Sequence, residues 1–305
     1  MAGRRRKKSG GRSYAWRYRG RIVACVFVEV IIICALIIMI GWNKGVKEWF
    51  EQFEQPVLKE VDISGINSPN AILMQARGGK ILGEINGEAQ IYPASMTKIM
   101  TVILGIENFD DLDEKITLTN EMFTGLYEQD ATQAGFQPGE EVRVIDLLYG
   151  AMLPSGAECC IALADTISGS EADFAELMNK KARKLGMENT NFCDSTGLHN
   201  PDHYSTVKDI AVLMKYCIKN DTFREIVETS RHSTGVTNIH PDGITYYSTM
   251  FKNLSDPTVT GGKILGGKTG YTSEAGHCLV SFAEIEGREY IFVSAGASGA
   301  DGNTI

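Results

Sequence analysis

One stretch constrains this chain more than any other: Pro93-Ala94-Ser95-Met96-Thr97-Lys98, followed at once by Ile99-Met100-Thr101-Val102-Ile103-Leu104. A serine and a lysine three residues apart fall on one face of a helix, about a turn from each other. Pro93 suits the start of such a helix, where a missing N–H is no loss. The run after Lys98 is apolar on nearly every side, which predicts a helix buried all round. A lysine at the start of a core helix needs a partner or a task there. Nucleophilic catalysis would supply one. A serine hydroxyl attacks poorly until a base takes its proton, and an amine becomes that base when burial or another cation lowers its pKa. The free N–H groups of a helix start also favour negative charge developing nearby. Alone, Ser-x-x-Lys is a common pattern, so its meaning depends on its company.

Two further stretches supply that company. Val144 to Leu153 has helical spacing, and Ala162-Leu163-Ala164-Asp165 continues a second helix, so Pro154-Ser155-Gly156 forms a tight loop between them. A hydroxyl in such a loop projects without competing with a backbone ladder. Taken by itself Ser155 reads as a helix cap. The other stretch is Gly266-Gly267-Lys268-Thr269-Gly270-Tyr271. From Gly262 to Thr269 the residues formally fit the phosphate-loop pattern G-x-x-x-x-G-K-T, but that loop works only ahead of a helix. The next segment, Gly276-His277-Cys278-Leu279-Val280-Ser281-Phe282, reads as strand. The nucleotide reading is therefore rejected. On a strand edging a cleft, Lys268 and Thr269 can grip a carboxylate, and Gly270 leaves the backbone open to close approach by a substrate.

The N-terminal part has a different character. Nine of the 30 basic side chains precede Ile22 and no acidic residue precedes Glu29, leaving 21 basic against 38 acidic in the remainder. Such an arm can bind nucleic acid, but Ile22 to Ile40 is apolar apart from Glu29, long enough to cross a bilayer. No nucleic-acid partner is expected. Basic residues ahead of a span keep that end in the cytoplasm. The expected organisation is a basic cytoplasmic arm (1–21), a transmembrane signal anchor (22–42), a stalk or linker (43–67) and an extracytoplasmic domain (68–305). A cleaved signal peptide is the alternative, disfavoured by the length of the apolar run and the lack of a small-x-small cleavage site. Ala71-Ile72-Leu73-Met74, a Gly78-Gly79 turn and Ile81-Leu82 predict a hairpin at the start of the domain.

With Ser95-Met96-Thr97-Lys98, Ser155-Gly156-Ala157 and Lys268-Thr269-Gly270 in that order, the chain resembles the penicillin-binding, serine-type D-alanyl-D-alanine carboxypeptidases of low molecular weight. Thr196-Gly197-Leu198-His199 and His203-Tyr204-Ser205-Thr206 also look like that family. The resemblance implies a β-lactamase/transpeptidase-like fold of the α+β class. An antiparallel β-sheet, made by the early hairpin and the strands of 268–294, would have helices on both faces. A helical subdomain would carry Ser155, and one transmembrane helix would precede the whole. It implies that Ser95 attacks a peptidoglycan stem peptide ending in D-Ala-D-Ala, with Lys98 as base and Ser155 relaying a proton to the leaving amine. Lys268 and Thr269 would hold the terminal carboxylate beside Gly270, and the N–H groups of Ser95 and Tyr271 would form the oxyanion hole. β-Lactams would be covalent inhibitors, and no metal or organic cofactor would be needed.

Two departures stand out. The family usually has Asn where this chain has Ala157, and alanine cannot orient Lys98 or hydrogen-bond a substrate. The chain also stops at Ile305, where the family normally adds a closing helix and often a β-rich domain, so it is expected to close differently or to be a shortened chain. Two other readings stay open: a serine β-lactamase, which lacks a convincing Glu-x-x-Leu-Asn segment here, and a non-catalytic penicillin-binding sensor. His199 and His203 have a metal-like spacing, but Pro201 intervenes and no acidic or cysteine partner is evident, so they read as loop structure. Five cysteines lie beyond the span (Cys159, Cys160, Cys193, Cys217, Cys278), an odd number that argues against a disulfide framework.

Overall fold

A computed structural model describes residues 59–252, 254 and 256–299. The arm 1–21, the apolar span 22–42 and linker residues 43–58 lie outside the described residues. Among those described, no helix is long and apolar enough to cross a membrane.

The early hairpin forms as its glycines dictate: β1 (Asn70–Gln75) and β2 (Ile81–Ile85) are joined through Gly78 and Gly79, both in the left-handed region at φ +84° and +73°. Two short pairs lie within the helical part, β3 (Lys115–Thr117) with β4 (Glu141–Arg143), and β5 (Arg231–Ser233) with β6 (Thr245–Tyr247). The C-terminal half supplies β7 (Thr258–Val259), β8 (Gly262–Thr272), β9 (Gly276–Ile285) and β10 (Arg288–Ala297). The antiparallel six-stranded sheet runs β2-β1-β10-β9-β8-β7, so the early hairpin joins the last strand. All of Gly262 to Thr269 lies within β8, so no helix follows it to receive a phosphate.

The helices are α1 (Lys98–Asn108), α2 (Val144–Met152), α3 (Ala157–Ser168), α4 (Glu171–Leu185), α5 (Val207–Cys217), α6 (Asp221–Glu228) and the short α7 (Thr249–Lys252). Their ends carry the expected signals. Ser170, Thr206 and Asn220 cap α4, α5 and α6 by accepting the N–H three residues on, and Gly169 and Gly186 end α3 and α4 in the left-handed region. As its sequence predicts, α1 is buried all round from Lys98 to Gly105, and it packs against α2, α3, α5 and α6.

Ile72, Met74, Val280, Phe282, Ile291 and Val293 share one sheet face by register and join the helices in a single core. Helices on both sheet faces were expected. Among the described residues the helical core meets this one face, while Leu73, Leu279, Ser281 and Phe292 on the opposite face are only half-buried. Lys268 pairs with Val280 and Gly270 with Cys278, which puts both on the helical face. The five cysteines among the described residues are free, and all but the half-buried Cys193 are buried. Cys159 and Cys160 pack in the core beside the Ser155 loop as small apolar residues.

Candidate active site

Ser95 lies in a 3-10 turn, Ala94–Thr97, and α1 begins only at Lys98. A 3-10 turn eclipses residues three apart, so the Ser95 and Lys98 side chains meet directly. Tertiary contacts impose that tighter turn. Ala94 is held at φ +47°, and a Cβ at Gly197 would stand 1.9 Å from the Ala94 carbonyl oxygen. Lys98 is 3% exposed, and its Nζ donates to Ser95 Oγ at 3.0 Å and to the Thr196 carbonyl at 2.6 Å. Burial is the largest influence on this amine and lowers its pKa; nearby Cys160, Asp194 and Glu158 work the other way without overcoming it.

Ser155 sits in the loop between α2 and α3 with a left-handed φ of +74°, a conformation costing a serine about 1–3 kcal/mol. Capping does not account for it, because Gly156 holds the cap position of α3 and no side chain caps that end. Its hydroxyl instead accepts from Lys268 Nζ at 3.0 Å. Lys268 is 1% exposed and also donates to the Thr269 carbonyl at 2.7 Å. Burial, and then the charge of Lys98, push its pKa well below that of an ordinary lysine. Thr269 Oγ1 bonds Thr249 Oγ1 at 2.7 Å, and Tyr271 stands exposed at the rim with its ring 4.7 Å from His277. The group that comes close to Gly270 is the protein's own turn: a Cβ there would stand 2.8 Å from Ser95 N. Ser95, Ser155, Lys268, Thr269, Gly270 and Tyr271 all line one cavity of about 690 Å³, and Lys98 reaches it through the Ser95 hydroxyl.

Four features were not legible in the sequence. The Lys98 amine is oriented by a backbone carbonyl, that of Thr196, and a carbonyl leaves no mark on residue type. Ala157 is buried and its N–H donates to the Thr132 carbonyl at 2.8 Å, so this position ties α3 to the cleft wall. Glu158 accepts from the N–H groups of Ala134 and Gly135 at 2.6 and 2.9 Å and holds the same wall. His203 does have an acidic partner, contrary to the sequence reading: Asp194 Oδ2 lies 3.0 Å from its Nδ1. The pairing was hidden because the two residues meet across a turn rather than along a helix. Among the described residues no cluster of His, Cys, Asp or Glu could hold a metal ion.

Asp194 also makes a stability prediction. Burial works to raise its pKa, but hydrogen bonds from His203, Thr196 and Gly197 outweigh it and hold the carboxyl at about 2 against an ordinary 3.8. A depressed native pKa stabilises the fold fully above the unfolded value and loses that contribution as pH falls toward 2. The contribution is roughly 2 kcal/mol. Urea midpoints measured from pH 6 down to pH 2 should therefore fall more steeply for the native chain than for Asp194→Asn. Parallel curves would show that the carboxylate contributes nothing.

A serine–lysine pair and a second hydroxyl–amine pair thus share one cleft between a helical part and an antiparallel sheet. The chain belongs to the D-alanyl-D-alanine carboxypeptidase family, peptidase S11, whose profile matches residues 57–299. It is 35% identical over 233 residues to D-alanyl-D-alanine carboxypeptidase DacF of Bacillus subtilis (strain 168), covering 75% of this chain and 57% of that protein. It is 33% identical over 262 residues to DacC of Escherichia coli (strain K12), covering 78% of this chain and 58% of that one. The chain thus spans little more than half the length of these curated relatives. Among solved structures, the Streptomyces K15 DD-transpeptidase superposes with a TM-score of 0.70 at 29% identity, covering 78% of this chain and 93% of that chain.

Proposed function

We propose that this chain is a serine-type D-Ala-D-Ala carboxypeptidase that removes the terminal D-alanine from peptidoglycan stem peptides. The observation that carries the reading is the buried Lys98 amine, 3.0 Å from a Ser95 hydroxyl that opens on the same cavity as the Ser155–Lys268 pair. With its pKa lowered by burial, Lys98 can take the Ser95 proton as Oγ attacks the carbonyl of the penultimate D-alanine. The Ser95 and Tyr271 N–H groups would bind the oxyanion, a contribution of roughly 3–4 kcal/mol per donor. Ser155 would relay that proton from the Lys98 ammonium to the departing amine as the C–N bond breaks, releasing D-alanine, restoring the free Lys98 amine and leaving the acyl group on Ser95. Water then attacks the ester, Lys98 taking its proton and returning it to Ser95 Oγ as the ester bond breaks. Lys268 and Thr269 would grip the terminal carboxylate through charge and hydroxyl. Every step uses the chain's own side chains and backbone.

The strained amide of a β-lactam would acylate Ser95 in the same way, making such compounds covalent inhibitors. The basic arm and the apolar run 22–42 support a single-pass anchor with the cytoplasm on the N-terminal side and the catalytic domain outside the membrane. The test uses the full-length chain with a labelled penicillin and, separately, a peptide ending in D-Ala-D-Ala. Stable labelling together with D-alanine release is expected. Rapid turnover of the penicillin would turn the reading into a β-lactamase, and silence in both assays would leave a sensor.

A further inference from the structure

The carbonyl that orients Lys98 is itself held by a closed ring of buried and half-buried groups. From Asp194 Oδ1, hydrogen bonds run to Thr196 N, Thr196 Oγ1 and Gly197 N at 2.8, 2.7 and 2.7 Å. From Asp194 Oδ2 the ring passes to His203 Nδ1 at 3.0 Å, and from His203 Nε2 to Thr97 Oγ1 at 2.9 Å. Thr97 is covalently joined to Lys98, and Lys98 Nζ closes the ring on the Thr196 carbonyl at 2.6 Å. His203 is 2% exposed and Thr97 fully buried, which shields the bond between them from water, whereas Asp194 is half-buried. The neighbouring Ser195 carbonyl accepts from Thr101 Oγ1 at 2.6 Å, pinning the loop to α1 a second time.

We propose that Asp194, His203 and Thr97 are positioning residues for the base, and that this ring does here what a side chain at position 157 cannot. The inference rests on the peptidase reading above. Asp194 is ionised at neutral pH, so His203 Nδ1 donates to the carboxylate. The Cys193 N–H also faces Nδ1, at 3.3 Å, but the nearer charged oxygen takes precedence. On the other side of the ring, Nε2 shares a hydrogen bond with the Thr97 hydroxyl. Both ends of the Lys98 side chain, its backbone and its amine, are thereby tied to one carboxylate.

The same carboxylate sets the charge around the amine. Of the groups facing Lys98, Cys159 and Cys160 on α3 are held as neutral thiols by burial, the latter pushed up to about 12. Burial also raises the Glu158 carboxyl, and Lys268 on β8 is a like charge. Asp194 is the anion among them whose ionised form is favoured far below neutral pH, and it favours the protonated amine. Removing its charge lowers the pH at which Lys98 becomes a free base.

The experiment measures the rate of acylation by a saturating labelled penicillin against pH, using full-length chains. Asp194→Asn keeps a carbonyl oxygen for Thr196 and Gly197 but no charge, and its acid limb should move to lower pH by roughly half a unit to one unit. Thr97→Val removes only the hydroxyl, and its plateau should fall roughly tenfold to a hundredfold with the limb unmoved. Thr97→Ser should restore the plateau. Thermal midpoints identify folded variants, and the serine variant keeps the comparison readable if valine disturbs the core. An Asp194→Asn limb superimposed on that of the native chain, or a folded Thr97→Val chain within about twofold of the native rate, overturns the ring. A native chain that never acylates overturns the peptidase reading, and the ring with it.

Discussion

Replacing Lys98 by alanine is expected to slow acylation of Ser95 by roughly four to six orders of magnitude, the scale seen when one member of a hydroxyl–base pair is removed from a serine enzyme. The amine lies 3.0 Å from the hydroxyl and is 3% exposed, so no solvent group can replace it as proton acceptor. With the grip on the terminal carboxylate proposed for Lys268 and Thr269, non-covalent affinity for a D-Ala-D-Ala peptide should change little. Ser95→Ala, in contrast, removes the atom that forms the ester, and covalent labelling should vanish altogether. Stopped-flow labelling and equilibrium peptide binding measure the two quantities separately. Normal acylation in the lysine variant would remove Lys98 from the role of base.

Gly197→Ala is expected to destabilise the domain by more than about 4 kcal/mol, among the largest effects a single substitution produces. Two costs combine there. The residue sits at φ +82°, which disfavours any side chain, and the new Cβ would stand 1.9 Å from the Ala94 carbonyl oxygen and 2.8 Å from Thr97 Oγ1. The turn bearing Ser95 would have to move, so labelling should fail even in chains that still fold. Gly169→Ala separates the two causes. Gly169 has almost the same φ, +83°, with nothing within 4 Å of the added Cβ, so only about 1 kcal/mol is expected. Denaturant midpoints for the pair measure the difference. Equal losses at both positions would mean that backbone conformation alone, and not the close approach of the 197 loop, makes glycine necessary.

Local signals accounted for much of the architecture. Gly78-Gly79 between two short apolar runs specifies a hairpin wherever the chain folds, and Ile99 to Leu104 can only be an interior helix. Ser95–Lys98 and Lys268–Thr269 were legible because each joins a hydroxyl and an amine to a recognisable turn or strand, whereas Ser155 gained meaning only in their company. Position 157 shows where such reading stops. Alanine there signals a missing side-chain partner for Lys98, and nothing in the sequence says that the Thr196 carbonyl occupies that role. At Gly270, likewise, nothing in the sequence shows that a side chain would meet Ser95 N at 2.8 Å.

Residue identity and short-range spacing were enough to name Ser95, Lys98, Ser155 and Lys268, since helix and strand periodicity act over a few residues. Which of them meet, what strains Ser155 into the left-handed region, and how Asp194 reaches round to Thr97 were decided only when distant segments packed together. Burial changes the chemistry of an amine through whatever surrounds it, and the partners of both buried lysines come from far along the chain: Thr196 is 98 residues from Lys98 and Ser155 is 113 from Lys268.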